Sequence, residues 1–362
     1  MLRKTFTLGI TFLLFTVLTA SARIWRVNNN AGVAADFTTF NAAATAATAG
    51  DTIHLEPSAT SYATSSFNLT KRLVVIGVGY FLDPANTTTP GNAGLQATTN
   101  SSRLDFFRIQ NGANSSRFLG VTFDGGFYIG ASATAYNLSF EKCLFNGSNG
   151  FYFETAGNYD GIAVRKCFFN NTTISAINTA VISNFICENT IFNGSSSYIN
   201  LPVLTGTGNI IRNNSVINNF GSVFTLANAY VANNIFGTPS PSSFTNCVIK
   251  NNLFQANQSL PGTATDNKVN VNMSTVYVGG TTGSLDSRAV LIPGTPATNP
   301  AIEAGLSVGT VIKPDCGAFG ATDPYKLSGI PNIPSIYTFT VPISIPAGTA
   351  NMNVTISTRN NN

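Results

Sequence analysis

The residues best placed to do chemistry are charged pairs that recur in step. Glu141-Lys142, Arg165-Lys166 and Glu188-Asn189 each lie four and three residues before an apolar anchor, at Phe145, Phe169 and Phe192. On successive coils of a solenoid, Glu141, Arg165 and Glu188 would form a ladder of alternating sign at about 5 Å spacing. One use of it is chemical: β-elimination from a uronate needs a base beside the sugar and a cation beside its carboxylate. Glu141, Arg165, Lys166 and Glu188 are therefore the catalytic candidates. The other use is a solvated row of ion pairs worth at most about 1 kcal/mol each, and it is preferred because the charges are few and scattered. Tyr128, Tyr152 and Tyr159 fall in segments expected to loop outward, where aromatic rings can stack on sugars, and are the ligand-binding candidates.

Other chemistries lack their parts. His54 is the single histidine; alternation with Ile53 and Leu55 puts it on an exposed strand face, and a triad or metal site needs partners it does not have. Asp105, Asp124 and Asp160 take no equivalent positions relative to the anchors, so they do not converge as calcium ligands. No metal and no cofactor is expected. Of five cysteines, Cys143 and Cys167 share one ladder position, and parallel side chains would strain the torsion of a disulfide. Free, buried thiols are expected. Sequon matches at Asn68, Asn114, Asn137 and Asn146 follow from the abundance of Asn, Ser and Thr.

The element that must position these residues is a repeat. An apolar block ending in an aromatic, usually followed by Asn or Gly, anchors at Phe123, Phe145, Phe169, Phe192, Ile217, Phe236 and Phe254. The mean step is about 22 residues. Five residues before the anchors stand Phe118, Phe140, Val164, Cys187, Val231 and Ile249, with Arg212 as the exception. Short β-branched and aromatic bursts separated by Asn and Gly exclude helical repeats, and a propeller blade needs about twice this period. One turn of a parallel β-helix fits, with the Phe anchors stacked inside. Asn213-Asn214, Asn233-Asn234 and Asn251-Asn252 read as an asparagine ladder with one slip of register. About ten coils are expected between residues 53 and 322.

Composition agrees. Charged residues make up only 9% of the 362 while 27 are Phe, so the chain is folded around one large apolar core. The opening Arg3-Lys4, the apolar run Leu8 to Leu18 and Ala20-Ser21-Ala22 read as a signal peptide over residues 1–22. Without Arg3 and Lys4 the net charge falls to about +2 and no basic stripe is left, so nucleic acid is not an expected partner. No further apolar stretch is long enough to span a membrane after signal removal. Residues 23–52 read as a cap, with a helix started by Asp36, striped by Phe37, Phe40, Ala44 and Ala47 and ended by Gly50. Residues 323–362 read as a Pro-rich linker and a small β-hairpin.

The run Asp36-Phe37-Thr38-Thr39-Phe40 through Ala49-Gly50-Asp51-Thr52-Ile53 resembles the capping segment of right-handed parallel β-helix proteins of the pectin-lyase-like superfamily. Asn299-Pro300-Ala301-Ile302-Glu303-Ala304-Gly305 with Asp315-Cys316-Gly317-Ala318-Phe319 resembles their closing pattern. The resemblance covers about residues 24 to 322 and implies an all-β, right-handed parallel β-helix with an N-terminal capping helix. The Asn-Thr-Asp, Gly-His-Gly and Arg-Ile-Lys motifs expected of polygalacturonase-like members are missing, as is the Trp-x-Asp-His block of pectate-lyase-like members. No family catalytic residue transfers.

The expected function is an exported, non-catalytic β-helix that is surface-associated, adhesive or glycan-binding, located outside the cell, on its surface or in the periplasm, with a polysaccharide or cell-surface glycan as the expected partner. The alternatives are a divergent lyase or glycoside hydrolase acting on an acidic polysaccharide, and a structural module of an exported assembly joined through the C-terminal hairpin.

Overall fold

The computed structural model describes residues 22–63, 66–83, 98–130, 134–147, 150–221, 223–280 and 284–360. The expected signal peptide therefore lies almost wholly outside the described residues. The chain forms a parallel β-solenoid. Three sheets run its length: ten strands from Ile24–Val27 to Val248–Lys250, eight from Arg103–Leu104 to Leu253–Phe254, and eight from Phe67–Leu69 to Ser243–Thr245. A short corner sheet of three strands, Thr134–Tyr136, Asn158–Asp160 and Val181–Ser183, widens the middle coils.

The interior is built from columns. Phe118, Phe140, Val164, Cys187, Ile211, Val231 and Ile249 pair in register along the first sheet, all buried. On the second sheet Phe123, Phe145, Phe169 and Phe192 stack at 5.1, 4.6 and 5.0 Å between ring centroids, and Phe236 on Phe254 at 4.8 Å. Offset stacking of this kind adds to the area each ring buries. Between Phe192 and Phe236 the column is filled by Val216, not by the expected anchor Ile217. That one-residue correction removes both irregularities of the repeat: Ile211 replaces Arg212 five residues earlier, and the asparagine ladder runs without a slip.

Two amide ladders tie the coils. In the buried one, Nδ2 of Asn214 donates to Asn234 Oδ1, Asn234 to Asn252 and Asn252 to Asn267, each at 2.9 Å. Toward the N-terminal end the same column continues as Thr190, which accepts from the Cys167 N–H, and Cys167, which accepts from the Cys143 N–H. All five thiols are free and buried. On the outer face Asn146, Asn170, Asn193 and Asn218 donate in turn to Asp124, Asn146, Asn170 and Asn193 at 2.7 to 3.1 Å. This explains the aromatic-then-Asn pattern: the ring points in and the amide points along the axis.

The cap differs in detail from expectation. Its helix is Phe40–Ala46 and is started by Thr39, whose hydroxyl accepts from the Ala42 N–H. Asp36 is instead drawn off by the Arg26 N–H and the Arg23 guanidinium. Phe40 plugs the open end of the core, 5.1 Å from Phe67 and 5.5 Å from Phe107.

Among the described residues seven complete three-strand coils are present, with partial coils at each end, fewer than the expected ten. The reason is an apolar row on the outside of the second sheet: Leu144, Phe168, Ile191, Ile235 and Leu253 must be covered. Residues 271–325 leave the solenoid to do so, running back toward the first coils and adding Val276, Tyr277, Ala289, Ala301, Ala318 and Tyr325 to a second apolar core. At its far end the Tyr325 hydroxyl bonds Tyr80 at 2.7 Å and donates to buried Asp286 at 3.1 Å.

This return strap is held by one bend of every coil. Gly120, Lys142, Lys166, Asn189, Asn213, Asn233 and Asn251 all adopt φ between 48° and 63°, the left-handed conformation that Gly and Asn tolerate best. Most of these side chains then meet the strap: Lys142 Nζ donates to Ile330 O, Lys166 pairs with Asp323, Asn189 donates to Ala318 O and Asn251 to Ala304 O. Asn233 accepts from the Leu306 N–H through its side chain and from the Gly317 N–H through its carbonyl. The two closing segments seen in the sequence thus work as strap docks. Gly317 is required here, because a Cβ would lie 2.6 Å from Ser215 Oγ and 2.8 Å from Ile235. Beyond the strap, Ser335–Thr340 and Thr355–Arg359 pair as an antiparallel hairpin.

Candidate functional site

Two outward regions carry candidate chemistry. The first is the expected charge ladder on the first sheet. Glu141, Arg165, Glu188 and Arg212 pair in register on four successive coils. Ion pairs join Arg165 Nε to Glu188 Oε2 at 3.1 Å and Arg212 Nε to Glu188 Oε1 at 2.6 Å. Lys166 turns away to Asp323 of the strap. Between ladder and strap lies a cleft of about 140 Å³ lined by Arg165, Glu188, Arg212, Tyr230, Leu306 and Val308. Three of the four catalytic candidates line this cleft and Glu141 stands outside it. Both oxygens of Glu188 are paired with guanidiniums, the arrangement of a row of ion pairs. Lys142, beside Glu141, has its pKa lowered to about 8 by burial, with Glu141 partly opposing that shift; its ammonium is spent on the strap carbonyl of Ile330.

The second region is an aromatic shelf on the outside of the third sheet. Tyr128 and Tyr152 are register partners, with ring centroids 6.3 Å apart and planes perpendicular. Phe106 stacks on Tyr128 at 4.6 Å. Arg108 pairs in register with Tyr128, its guanidinium 5.5 Å from that ring and 5.6 Å from Phe106. It is held there by Glu154, through Nη2 to Oε2 at 3.0 Å and a second contact from Nε to Oε1. Two glycines make the geometry possible: a Cβ on Gly126 would lie 2.2 Å from the Tyr128 ring, and one on Gly130 would lie 2.0 Å from Glu154 Oε1. Burial, then the Glu154 charge, raises the Tyr128 pKa, so its hydroxyl stays neutral and able both to donate and to accept. Beyond Tyr152 the row continues as Ser175, Asn200, Thr225 and Ser243, all polar.

Tyr159 does not join the shelf. It is fully buried against Phe153, and its hydroxyl donates to Thr155 O at 2.9 Å. The corner sheet turns this residue inward, which the expectation of an outward loop did not anticipate. Phe106, Arg108 and Glu154 were missed by the sequence reading. The signal for them was present in part, because Arg108 and Tyr128 lie 20 residues apart, one step of the repeat, whereas Asn68 and Arg108 lie 40 apart across the longer first coil.

Other groups resolve into structure. Asp124 pairs with Arg103, and Asp160 accepts from Ser183 and Asn184 at 2.6 Å. Among the described residues no group of three or more His, Cys, Asp or Glu could hold a metal. His54 stands outward between buried Ile53 and Leu55, beside the Arg26–Glu56 ion pair, and burial lowers its pKa. No helix among the described residues is long and apolar enough to cross a membrane. No protein-family model matches the chain, and no curated protein is similar to it.

Proposed function

We propose that this chain is an exported, non-catalytic glycan-binding protein built as a right-handed β-helix of the pectin-lyase-like kind. The capping run Asp36 to Ile53, the closing runs Asn299 to Gly305 and Asp315 to Phe319, and the signal-like first 22 residues support the fold family and the export. The observation that carries the binding reading is the aromatic shelf. Tyr128 and Tyr152 are spaced along the axis, backed by Phe106, flanked by the fixed Arg108–Glu154 pair, and made possible by two glycines. Apolar ring faces beside planar charged groups and a row of hydroxyls and amides match the alternating C–H faces and hydroxyl edges of a sugar chain.

The test is a glycan array with the chain from residue 23, followed by titration of the best binder. Tyr152→Ala should weaken binding about tenfold, the equivalent of about 1.4 kcal/mol of stacking, while leaving thermal stability nearly unchanged. Unaltered affinity in both Tyr152→Ala and Tyr128→Ala would remove the shelf from the reading. The competing reading, cleavage of an acidic polysaccharide at the charge ladder, is disfavoured by the double engagement of Glu188. Release of unsaturated or reducing ends that vanishes in Arg165→Ala would establish it instead.

A further inference from the structure

Among the described residues, exposed large apolar side chains gather in the C-terminal hairpin. Ile336, Phe339, Val341, Ile343, Ile345, Met352, Val354 and Ile356 are all exposed, Ile343 completely. From Leu327 to Thr358 the chain holds no charged residue. Open strand edges in natural proteins are normally guarded by charge, and a two-stranded ribbon is marginal by itself, so an uncharged ribbon of this kind is expected to be covered in its working state.

Its two faces are unlike. Phe339 pairs with Ile356, and a bulge between Ile336 and Thr338 brings Ile336, opposite Thr358, back to the face that Phe339 and Ile356 share. Thr338 with Ser357 and Thr340 with Thr355 occupy the other face. Ile336 and Phe339 of the apolar face also line a groove of about 520 Å³ at the hairpin's base, together with Val78 and Leu82, and with His54 and Glu56 on its wall. One chain thus presents an apolar protrusion at the hairpin tip and an apolar recess at its base.

We infer that two copies of this chain associate about a twofold axis, hairpin face on hairpin face and antiparallel, so that the tip of each copy around Ile343 and Ile345 fills the groove of the other. The antiparallel arrangement follows from the layout, since it alone sets each tip over the partner's base and satisfies both unpartnered elements with the same operation, as an isologous interface requires. The area is sufficient. At about 100 Å² of apolar surface per aliphatic side chain, five tip side chains and the groove wall opposite them bury about 800 Å². Two seats then give about 1,600 Å², the size of a stable interface. A lipid surface would cover the tip and leave the groove open, and the absence of charge from Leu327 to Thr358 argues against an ionic partner for the hairpin.

The experiment is sedimentation equilibrium of residues 23–362 over a broad concentration range. The wild type should be a dimer; Ile343→Asp with Ile345→Asp at the tip and Val78→Glu in the groove should each raise the dissociation constant about a hundredfold or more, because a carboxylate would be buried without a partner. Ile343 and Ile345 are exposed, so circular dichroism of the tip variant should match the wild type. Mixing an Ile343→Cys copy with a Val78→Cys copy should give a cross-linked heterodimer under oxidation. A monomer at every concentration, a dimer indifferent to the tip variant, or a monomer that instead sediments with phosphatidylcholine vesicles would each overturn the inference.

Discussion

Asn234→Ala isolates what the buried amide ladder contributes. Asn234 Oδ1 accepts from the Asn214 N–H at 3.0 Å and from Asn214 Nδ2 at 2.9 Å, while its own Nδ2 donates to Ile211 O at 2.8 Å and to Asn252 Oδ1 at 2.9 Å. The residue is 1% exposed, so water cannot readily replace these partners. Four bonds are lost at about 1 kcal/mol net each, with the surplus cost of stranded donors on Asn214 added to that. The expected loss is about 4 kcal/mol, a large share of the total stability of about 5 to 15 kcal/mol of a folded chain. Asn234→Thr offers an internal control, because Thr190 already serves this column by accepting from the Cys167 N–H at 3.3 Å. Threonine should therefore recover about half of the loss. Urea unfolding followed by far-ultraviolet circular dichroism measures both variants. A loss below about 1 kcal/mol in Asn234→Ala, or no difference between Ala and Thr, would show that core stacking alone joins the coils and that the ladder is incidental.

Three further outcomes follow from buried ionisable groups. Burial lowers the Lys142 pKa from 10.5 to about 8, so between those values the unfolded chain binds more protons and stability should rise with pH, by up to about 3 kcal/mol from this group; Lys142→Met should flatten that part of the stability profile measured by urea unfolding. Asp51 is pushed up by burial but held down more strongly by hydrogen bonds from the Arg23 N–H, the Trp25 indole and the Thr48 N–H, to about 2. Its contribution is complete above the unfolded value near 3.8 and fades as pH falls toward 2, so Asp51→Asn should cost about 2 kcal/mol at neutral pH and almost nothing in strong acid. Burial raises the Cys187 thiol well above its usual range and Cys316 to about 12; a disulfide reagent should therefore titrate no thiol in the native protein and five in denaturant, and a Cys143 to Cys167 peptide found under non-reducing conditions would contradict this.

What the sequence made legible was whatever repeats. The Phe column from Phe123 to Phe254, the five-before column and the paired asparagines are set by one local rule applied coil after coil, so spacing alone exposes them. The single error of register, Ile217 for Val216, arose because both residues are apolar and only the facing coils decide which points inward. Coil number was overestimated because the strap has no period of its own. Its residues Val276, Ala301 and Ala318 face an apolar row, Leu144 to Leu253, whose need for cover is invisible until the inward column is fixed. The charge ladder was read correctly as a row, yet its fourth member, Arg212, was hidden by the same slip. The aromatic shelf was half seen: Tyr128 and Tyr152 were singled out, while Arg108 and Glu154 belong to coils on either side and meet only across Gly130.

The departures from the repeat are where function is to be sought. A solenoid obtains stability from neighbouring coils alone, so any outward position is free to vary as long as inward columns and bends persist. Along the third sheet the outward row is polar and small at Ser175, Asn200, Thr225 and Ser243; only at Arg108, Tyr128 and Tyr152 does it become large, aromatic and charged, and only there do Gly126 and Gly130 open room for it. Core packing does not ask for this cluster, since Phe107, Phe127 and Phe151 already fill the inward side of the same strands at 5.6 and 5.1 Å spacing. Removing Tyr152 should therefore change binding and leave folding almost untouched, whereas removing Phe151, its buried neighbour one residue away, should cost about 3 to 5 kcal/mol. Comparable stability losses in Tyr152→Ala and Phe151→Ala would mean that the shelf is part of the packing and that the outward row holds no site.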